Sequence, residues 1–503
     1  MKSTSNLKKR QEQRQERLDR RWQPDQDEPI LHAGNVRYEL SDRITATDAG
    51  GLGLVTQVVE RLKLAEQIDG ELQLLKRHRP YHESDHVLSL AYTIMSGESA
   101  LDGMKARRED LAFLEILGAR RTPHPTTAGS FLRRFKEEDV HSLLSIQNAC
   151  SAKVWQSKSE DDRALAIIDV DGTIGEITGN CREQMALAYD GTWGYHPLVV
   201  SLANSQEVLA IVNRPGNFSS NSGADEWMEK AARWALNEAG FAAVRLRGDT
   251  AFSLTYKFDP WTDQGFEFVF GIMAHKTFVE RAESVPEKKW RPFVREPKGA
   301  RERRPQENVR QLVIEENGYK ELHLIAEHIT EWQYNPKQAK HSYRMVALRK
   351  TIKVTEGQMR LQDEVRYFFY VTNIDDDQMS AEEVVRQSNE RCNQENLIGQ
   401  LKSGVGATRF PSVSFLGNWA HMAISALAWN LKTWLALLLE GYDRTQARQL
   451  LRIGFRSFVN RFVRIPVQIL SQSRRRVFRL LADNCWTQLM LEAPAYLRKL
   501  CLA

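Results

Sequence analysis

The chain has 503 residues, too many for one compact core, so two or three domains are expected. Its 42% apolar and 27% charged residues are ordinary globular composition and exclude a disordered chain. The net charge of +5 is too small to argue for nucleic-acid binding, and no apolar run reaches the roughly 18–20 residues that cross a bilayer.

The nearest such run, residues 423–439, is interrupted by Asn430 and Lys432 and reads as a buried helix. The N-terminus has no signal-peptide core, so a cytoplasmic protein with no membrane association is expected. Cys150, Cys181, Cys392, Cys485 and Cys501 are scattered without a CxxC pair, which gives neither a zinc site nor a disulfide framework.

Residues 1–45 read as a basic flexible tail. Within residues 1–22, Lys2, Lys8, Lys9, Arg10, Arg14, Arg17, Arg20 and Arg21 stand against Glu12, Glu16 and Asp19. Residues 46–160 read as helical. Val55, Val58, Val59 and Leu62 repeat with helical spacing, as do Val87, Leu90, Ala91, Ile94 and Met95, with Ser84 as the expected N-cap and Gly97 as the stop. A third helix covers 111–117, and a fourth, capped by Thr126 or Thr127, carries the basic pair Arg133 and Arg134. This part is expected to be a small helical, DNA-end-binding domain, although residues 118–125 make a longer connection than a helix-turn-helix uses.

From about residue 161 the texture changes. Residues 164–171, Ala-Leu-Ala-Ile-Ile-Asp-Val-Asp, form an apolar strand ending in acids. Strands over 196–203 and 207–213, a helix over 223–239, and strands over 242–248 and 266–274 follow. That order predicts an α/β fold with an RNase H-like core whose first part is 161–275. Residues 276–364 read as a charged, β-rich insertion, with Arg301, Arg303 and Arg304 in an exposed loop and strands near Leu312 and over 341–353. Residues 365–440 complete the core with a strand over 367–372 and helices over 381–402 and 419–440. Residues 441–503 form a basic, helical C-terminal region containing Arg474, Arg475 and Arg476.

Asp171 and Asp249 each follow an apolar strand, and in the predicted sheet those strands lie side by side. Two Mg²⁺ ions about 3.5–4 Å apart drive phosphodiester cleavage and attack by a 3′-hydroxyl, and Mg²⁺ prefers carboxylate oxygens converging from several elements. Glu395 fits as a third acid, since Arg391, Glu395 and Lys402 share one face of the helix over 381–402. Each residue alone has a plainer reading. An Asp after a strand usually caps a turn, and an Arg-Glu-Lys face is usually solvated surface. Asp169 lies on the same side of its strand as Asp171, and periodicity does not choose between them.

At these residues the chain resembles the DDE transposases of bacterial insertion sequences, particularly the insertion-sequence family designated 1380, over about residues 50–440. Asp169-Val-Asp-Gly-Thr173 looks like the first-acid strand of that family, which selects Asp171. Arg214-Pro-Gly-Asn217 looks like its Arg-Pro-Gly-Asn turn, and Arg247-Gly-Asp249 like its second-acid block. Arg391, Glu395 and Lys402 match the last three members of its Tyr-Arg-Glu-Lys signature. The tyrosine is replaced by Ser388, Thr250-Ala-Phe stands for Ser-Gly-Phe, and Glu183-Gln-Met-Ala-Leu-Ala replaces a glycine-rich stretch.

The resemblance implies cut-and-paste DNA transposition. Asp171, Asp249 and Glu395 would be catalytic and metal-binding, and Arg391 and Lys402 would contact DNA. Two Mg²⁺ ions are implied, with Mn²⁺ able to substitute. The partners implied are terminal inverted repeats and target DNA, with a homodimer in the synaptic complex, acting on the bacterial nucleoid. The substitutions keep two alternatives in view: an inactive, transposase-derived DNA-binding protein and an RNase H-like structure-specific nuclease. By position alone, Trp193, Trp261 and Trp290 are candidates to meet an extruded base, and each is more simply a packing residue.

Overall fold

The computed structural model describes residues 44–295 and 320–502, save 180, 338, 357–358, 361–362 and 473–474, and a few positions before residue 39. Most of the basic segment 1–22, Arg301, Arg303, Arg304, Leu312 and Arg474 lie outside the described residues.

Between residues 44 and 160 lie seven helices: α1 (Leu52–Arg61), α2 (Leu64–Glu71), α3 (Glu83–Met95), α4 (Gly103–Glu109), α5 (Leu111–Leu117), α6 (Pro125–Leu132) and α7 (Glu137–Gln156). The apolar spacings predicted for α1 and α3 are their buried faces. The caps differ from the expectation. His82 begins α3, while Ser84 lies inside it and donates to Asp69 Oδ2 at 2.8 Å. His124, not a threonine, caps α6, because Pro125 occupies its first turn.

The centre is a ten-stranded mixed sheet. Five strands form its first part: β1 (Leu165–Gly172), β2 (Leu198–Leu202), β3 (Glu207–Val212), β4 (Ala243–Gly248) and β5 (Glu267–Ile272). Their spatial order is β3-β2-β1-β4-β5. The β1–β2 and β2–β3 pairs are antiparallel, while β1–β4 and β4–β5 are parallel. Helix α8 (Ala224–Asn237) makes the crossover from β3 to β4 and buries Met228, Ala231, Ala232 and Ala235.

The β-rich segment does not stand apart from this sheet. Its hairpin, β6 (Lys320–Tyr334) and β7 (Tyr343–Glu356), pairs through β8 (Glu364–Thr372) with the edge of β5. The sheet therefore runs on past β5 as a long antiparallel extension.

Two corrections concern the second half. Residues 381–402, expected as one helix, are two: α9 (Ala381–Glu390) and α10 (Cys392–Gly399) meet at Arg391, and a π-turn follows over Gln400–Gly404. The C-terminal region, expected to be helical, also holds a hairpin of Val467–Gln472 with Arg475–Leu480, to which Ala46–Thr47 adds a third strand.

Helix α11 (Phe415–Leu439) is the one described helix long and apolar enough to cross a membrane, and its apolar window is entirely buried in the protein. It packs against β3, α7, α3 and α1. Its polar residues have partners: Asn430 bonds both the N–H and the C=O of Val208, and Lys432 Nζ donates to the Leu451 carbonyl at 3.0 Å. One continuous apolar core thus joins the N-terminal helices, the sheet and α11.

Candidate active site

Strand β1 carries two acids on one face, and the structure treats them differently. Asp169 is 1% exposed and held in a bidentate pair by Arg247, with Nε–Oδ1 at 2.7 Å and Nη2–Oδ2 at 2.8 Å. Arg247 is its register partner on β4. The same guanidinium donates through Nη1 to the backbone oxygen and to Oε1 of Gln387, both at 3.1 Å, which ties α9 to the sheet. Both oxygens of Asp169 are thus occupied deep in the sheet. Geometry separates the two acids that strand periodicity left equivalent.

Asp171, one pleat further on, reaches the end of the strand. Its Oδ1 accepts from the Gly172 N–H at 2.8 Å and its Oδ2 from Arg391 Nη1 at 3.1 Å. Burial pushes its pKa up to about 6. Arg391 and the Gly172 N–H pull it back, while the charges of Asp249 and Glu395 raise it. Asp171 therefore feels both of the other predicted acids.

Asp249 follows β4 directly and caps a short turn, its Oδ1 accepting from the Ala251 N–H at 2.8 Å. The plain cap reading thus holds for one oxygen; Oδ2 takes no part in that cap. Glu395 lies in the first turn of α10 with its side chain 63% exposed, and Arg391 Nη2 stands 3.8 Å from its Oε1. Arg391 therefore bridges Asp171 and Glu395. Lys402, in the π-turn, donates from Nζ to the Ile174 carbonyl at 2.9 Å and lies 3.5 Å from Thr173 Oγ1. All five predicted residues come to the same end of the sheet, from three stretches of the chain. As they stand, no three His, Cys, Asp or Glu side chains among the described residues are grouped closely enough to hold a metal ion, and the guanidinium of Arg391 lies among the acids.

Two supporting residues complete the surroundings, of which Gln394 escaped the sequence reading and Arg214 was named only as part of a turn. Gln394 is 2% exposed; its Nε2 donates to the Val199 carbonyl at 3.1 Å and its Oε1 accepts from Ser201. Val199 is the register partner of Asp171, so this bond sets α10 over the strand position facing the acid. The only sequence signal was an amide beside Glu395. Arg214, in the Arg-Pro-Gly-Asn turn, is buried and donates to the carbonyls of His196, Ser220 and Ser222 at 2.8, 3.0 and 2.8 Å. Burial pulls its pKa down to about 10. Its Nη2 has no partner and, with His196 Nε2, faces Gly172, where an added Cβ would lie 3.5 and 2.7 Å from them. Any larger residue after Asp171 would have to displace the His196 ring.

These features define a class: a mixed α/β protein whose central sheet gathers carboxylates and cations at the end of two parallel strands. The chain matches the family described as Transposase DDE domain group 1 over residues 31–502, and it belongs to that family. It is also similar to a solved cryo-EM structure of a piggyBac transposase synaptic complex with hairpin DNA, at 11% identity and a TM-score of 0.36, over 90% of this chain and 85% of that one. No curated protein matches it.

Proposed function

We propose that this transposase-family protein cuts DNA at the ends of a mobile element and joins the freed 3′-hydroxyls to target DNA, using Asp171, Asp249 and Glu395. The observation carrying this reading is that Asp171 and Asp249 close neighbouring parallel strands and that Arg391 bridges Asp171 to Glu395 on a late helix. The strand order β3-β2-β1-β4-β5, with the first three antiparallel and the last two parallel to β1, supports an RNase H-like core. In this reading residues 46–160 grip the DNA end, 276–364 are an insertion, and 365–440 complete the core. Membership in the insertion-sequence family designated 1380, a synaptic homodimer and action on nucleoid DNA belong to the same proposal.

The donor set fits Mg²⁺: three carboxylates, all hard oxygen ligands, with burial and mutual repulsion disfavouring charge on Asp171. Asp171, Asp249 and Glu395 would hold the metal, and Mg²⁺ or Mn²⁺ there would lower the pKa of an attacking hydroxyl and stabilise charge on the phosphate. The chain's own residues do the rest. Arg391 keeps Asp171 ionised and spans the gap to Glu395. Lys402, fixed at the Ile174 carbonyl, offers a cation to a DNA phosphate beside Asp171. Arg247 and Gln394 hold α9 and α10 against the sheet, so the third acid has a fixed origin.

The test uses purified protein and the DNA that flanks its gene. Wild type should nick the repeat ends in Mg²⁺; Asp249→Ala should lose cleavage by about 10³-fold or more and keep DNA binding. Cleavage at the wild-type rate by that variant would refute the assignment. The contact of Arg391 with Asp171 Oδ2 favours one second reading, a DNA-binding protein that no longer cuts. It requires a band shift with no Mg²⁺-dependent nicks.

A further inference from the structure

The end of the sheet opposite the acids holds a cavity of about 640 Å³. It lies at the start of β1, where the turn over residues 203–206 folds back from β2 to β3. The Ala203 N–H donates to the Ile167 carbonyl at 2.8 Å, and the Asn204 side chain bonds the Ile167 N–H and the Leu165 carbonyl, each at 2.9 Å. A second wall is α10, through Asn393 and Asn396, and a third is a further helix, α12 (Arg444–Arg452), through Arg448 and Arg452. Helix α10 thus serves both ends of the sheet. Gln394 seats it on β2 at Val199 and Ser201, Glu395 stands by Arg391 at the acids, and Asn393 and Asn396 line the cavity.

The lining holds two kinds of polar group. One kind is already matched. Lys158 pairs with Glu440 at 2.6 Å, Asp162 accepts from Ser159 Oγ at 2.7 Å, and the Ser205 hydroxyl donates to Glu207. Glu207, fully buried beneath, takes three more donors from Ser151, Trp155 and Trp434, so its charge is answered inside the core. The other kind is unmatched. The side-chain amides of Gln206, Asn393 and Asn396 and the guanidiniums of Arg448 and Arg452 have no hydrogen bond or ion pair among the described residues. Gln206 moreover sits at φ 63°, a left-handed position that glycine takes with less strain, and Trp429 Nε1 holds its carbonyl there at 2.6 Å.

We propose that this cavity binds a small phosphate-bearing anion, held by Arg448 and Arg452 on one side and by Gln206, Asn393 and Asn396 on the other. The site stands apart from the acids and does not depend on the DNA-cleaving reading above. Guanidinium forks suit phosphate oxygens, and amide N–H groups add donors without further charge. The two carboxylates of the rim are matched and leave the arginines available. The volume is that of a small-molecule site, whereas a rigid duplex can touch no more than its rim. The occupant also acts on α10. Just past α12, the Phe455 N–H donates at 2.8 Å to Oε1 of Gln400, the residue after α10. An anion bridging Arg452 and Asn396 closes the other end of that link and braces the helix that carries Glu395.

The test uses the full chain, without metal or DNA, and inorganic pyrophosphate as the probe. Wild type should bind one pyrophosphate per chain by isothermal titration calorimetry. Amide hydrogens of α10 should then exchange more slowly, by about threefold or more. The double variant Arg448→Ala, Arg452→Ala changes two exposed side chains and should keep the wild-type circular dichroism while binding pyrophosphate about tenfold or more weakly. Asn396→Ala should weaken binding less, and Lys402→Ala, at the other end of the sheet, should leave it unchanged. The proposal is overturned if wild type does not bind, if the double variant binds equally well, or if Lys402→Ala abolishes binding. Binding without slower exchange in α10 would overturn the bracing. Displacement of pyrophosphate by a DNA duplex would overturn the small-molecule assignment in favour of a DNA backbone phosphate. Because no cleavage is measured, the cavity can fail as a site while the Asp249→Ala result stands, and the reverse.

Discussion

Two layers of the same strand, one pleat apart, show opposite treatments of a carboxylate. In the lower layer Asp169 meets the fork of Arg247 and is fully compensated. In the upper layer Asp171 shares one guanidinium with Glu395 and faces a third acid, and its pKa is raised to about 6. A buried acid that is matched holds elements together. One that is undermatched is built to receive positive charge from outside. The lower layer is therefore read as support and the upper as the site, and substitutions should separate the two.

The largest effect should come from Asp171→Asn: cleavage falls by about 10³-fold or more, with no loss of fold. A folded pKa above the usual carboxylate value means that the native state binds a proton more tightly than the unfolded chain. The ionised side chain therefore opposes folding above about pH 6, and this is relieved as pH falls through 6 towards 4. Thermal unfolding should show the metal-free variant at least as stable as wild type at pH 8, by up to about 3 kcal/mol, with the gap closing near pH 4. A variant much less stable than wild type at pH 8 would break the comparison.

Asp169→Asn should do the reverse. It leaves Arg247 buried without its counter-charge and should cost about 3–5 kcal/mol, seen as a lower denaturation midpoint. Activity should fall only as far as the unmoored α9 carries Glu395 out of place. If this variant were stable yet as inactive as Asp171→Asn, Asp169 would take over as first acid.

Arg391→Gln gives the smallest effect and the most diagnostic one. Arg391 is the chief influence holding the Asp171 pKa down, so removing it should move the acid limb of the cleavage pH profile upward. Activity should drop about tenfold at pH 7 and partly recover at pH 8.5. A uniform loss at all pH values would mean that Arg391 contacts DNA only and does not tune Asp171.

Much of the architecture could be read from local pattern. The strands now seen as β1 to β5, helix α8 and the buried α11 all follow from runs of apolar residues with the right period. The break at Arg391 could not be read that way, since the sequence from 381 to 402 contains no proline and its one glycine, Gly399, lies well past the break. Arg391 is held in the tertiary fold by Asp171 and Glu395. Nor could spacing distinguish the three tryptophans, Trp193 exposed and Trp261 and Trp290 buried, since exposure depends on what packs over them.

The sequence by itself determined the five core strands β1 to β5, that Asp171 and Asp249 close two of them, and that Glu395 follows on a late helix bracketed by cations. Local periodicity and residue chemistry are enough for that. Only the tertiary structure shows that Asp169 is the acid held by the Arg247 fork across the β1–β4 ladder and Asp171 the one left at the end of the strand. Contacts between residues about eighty positions apart leave no period in the chain.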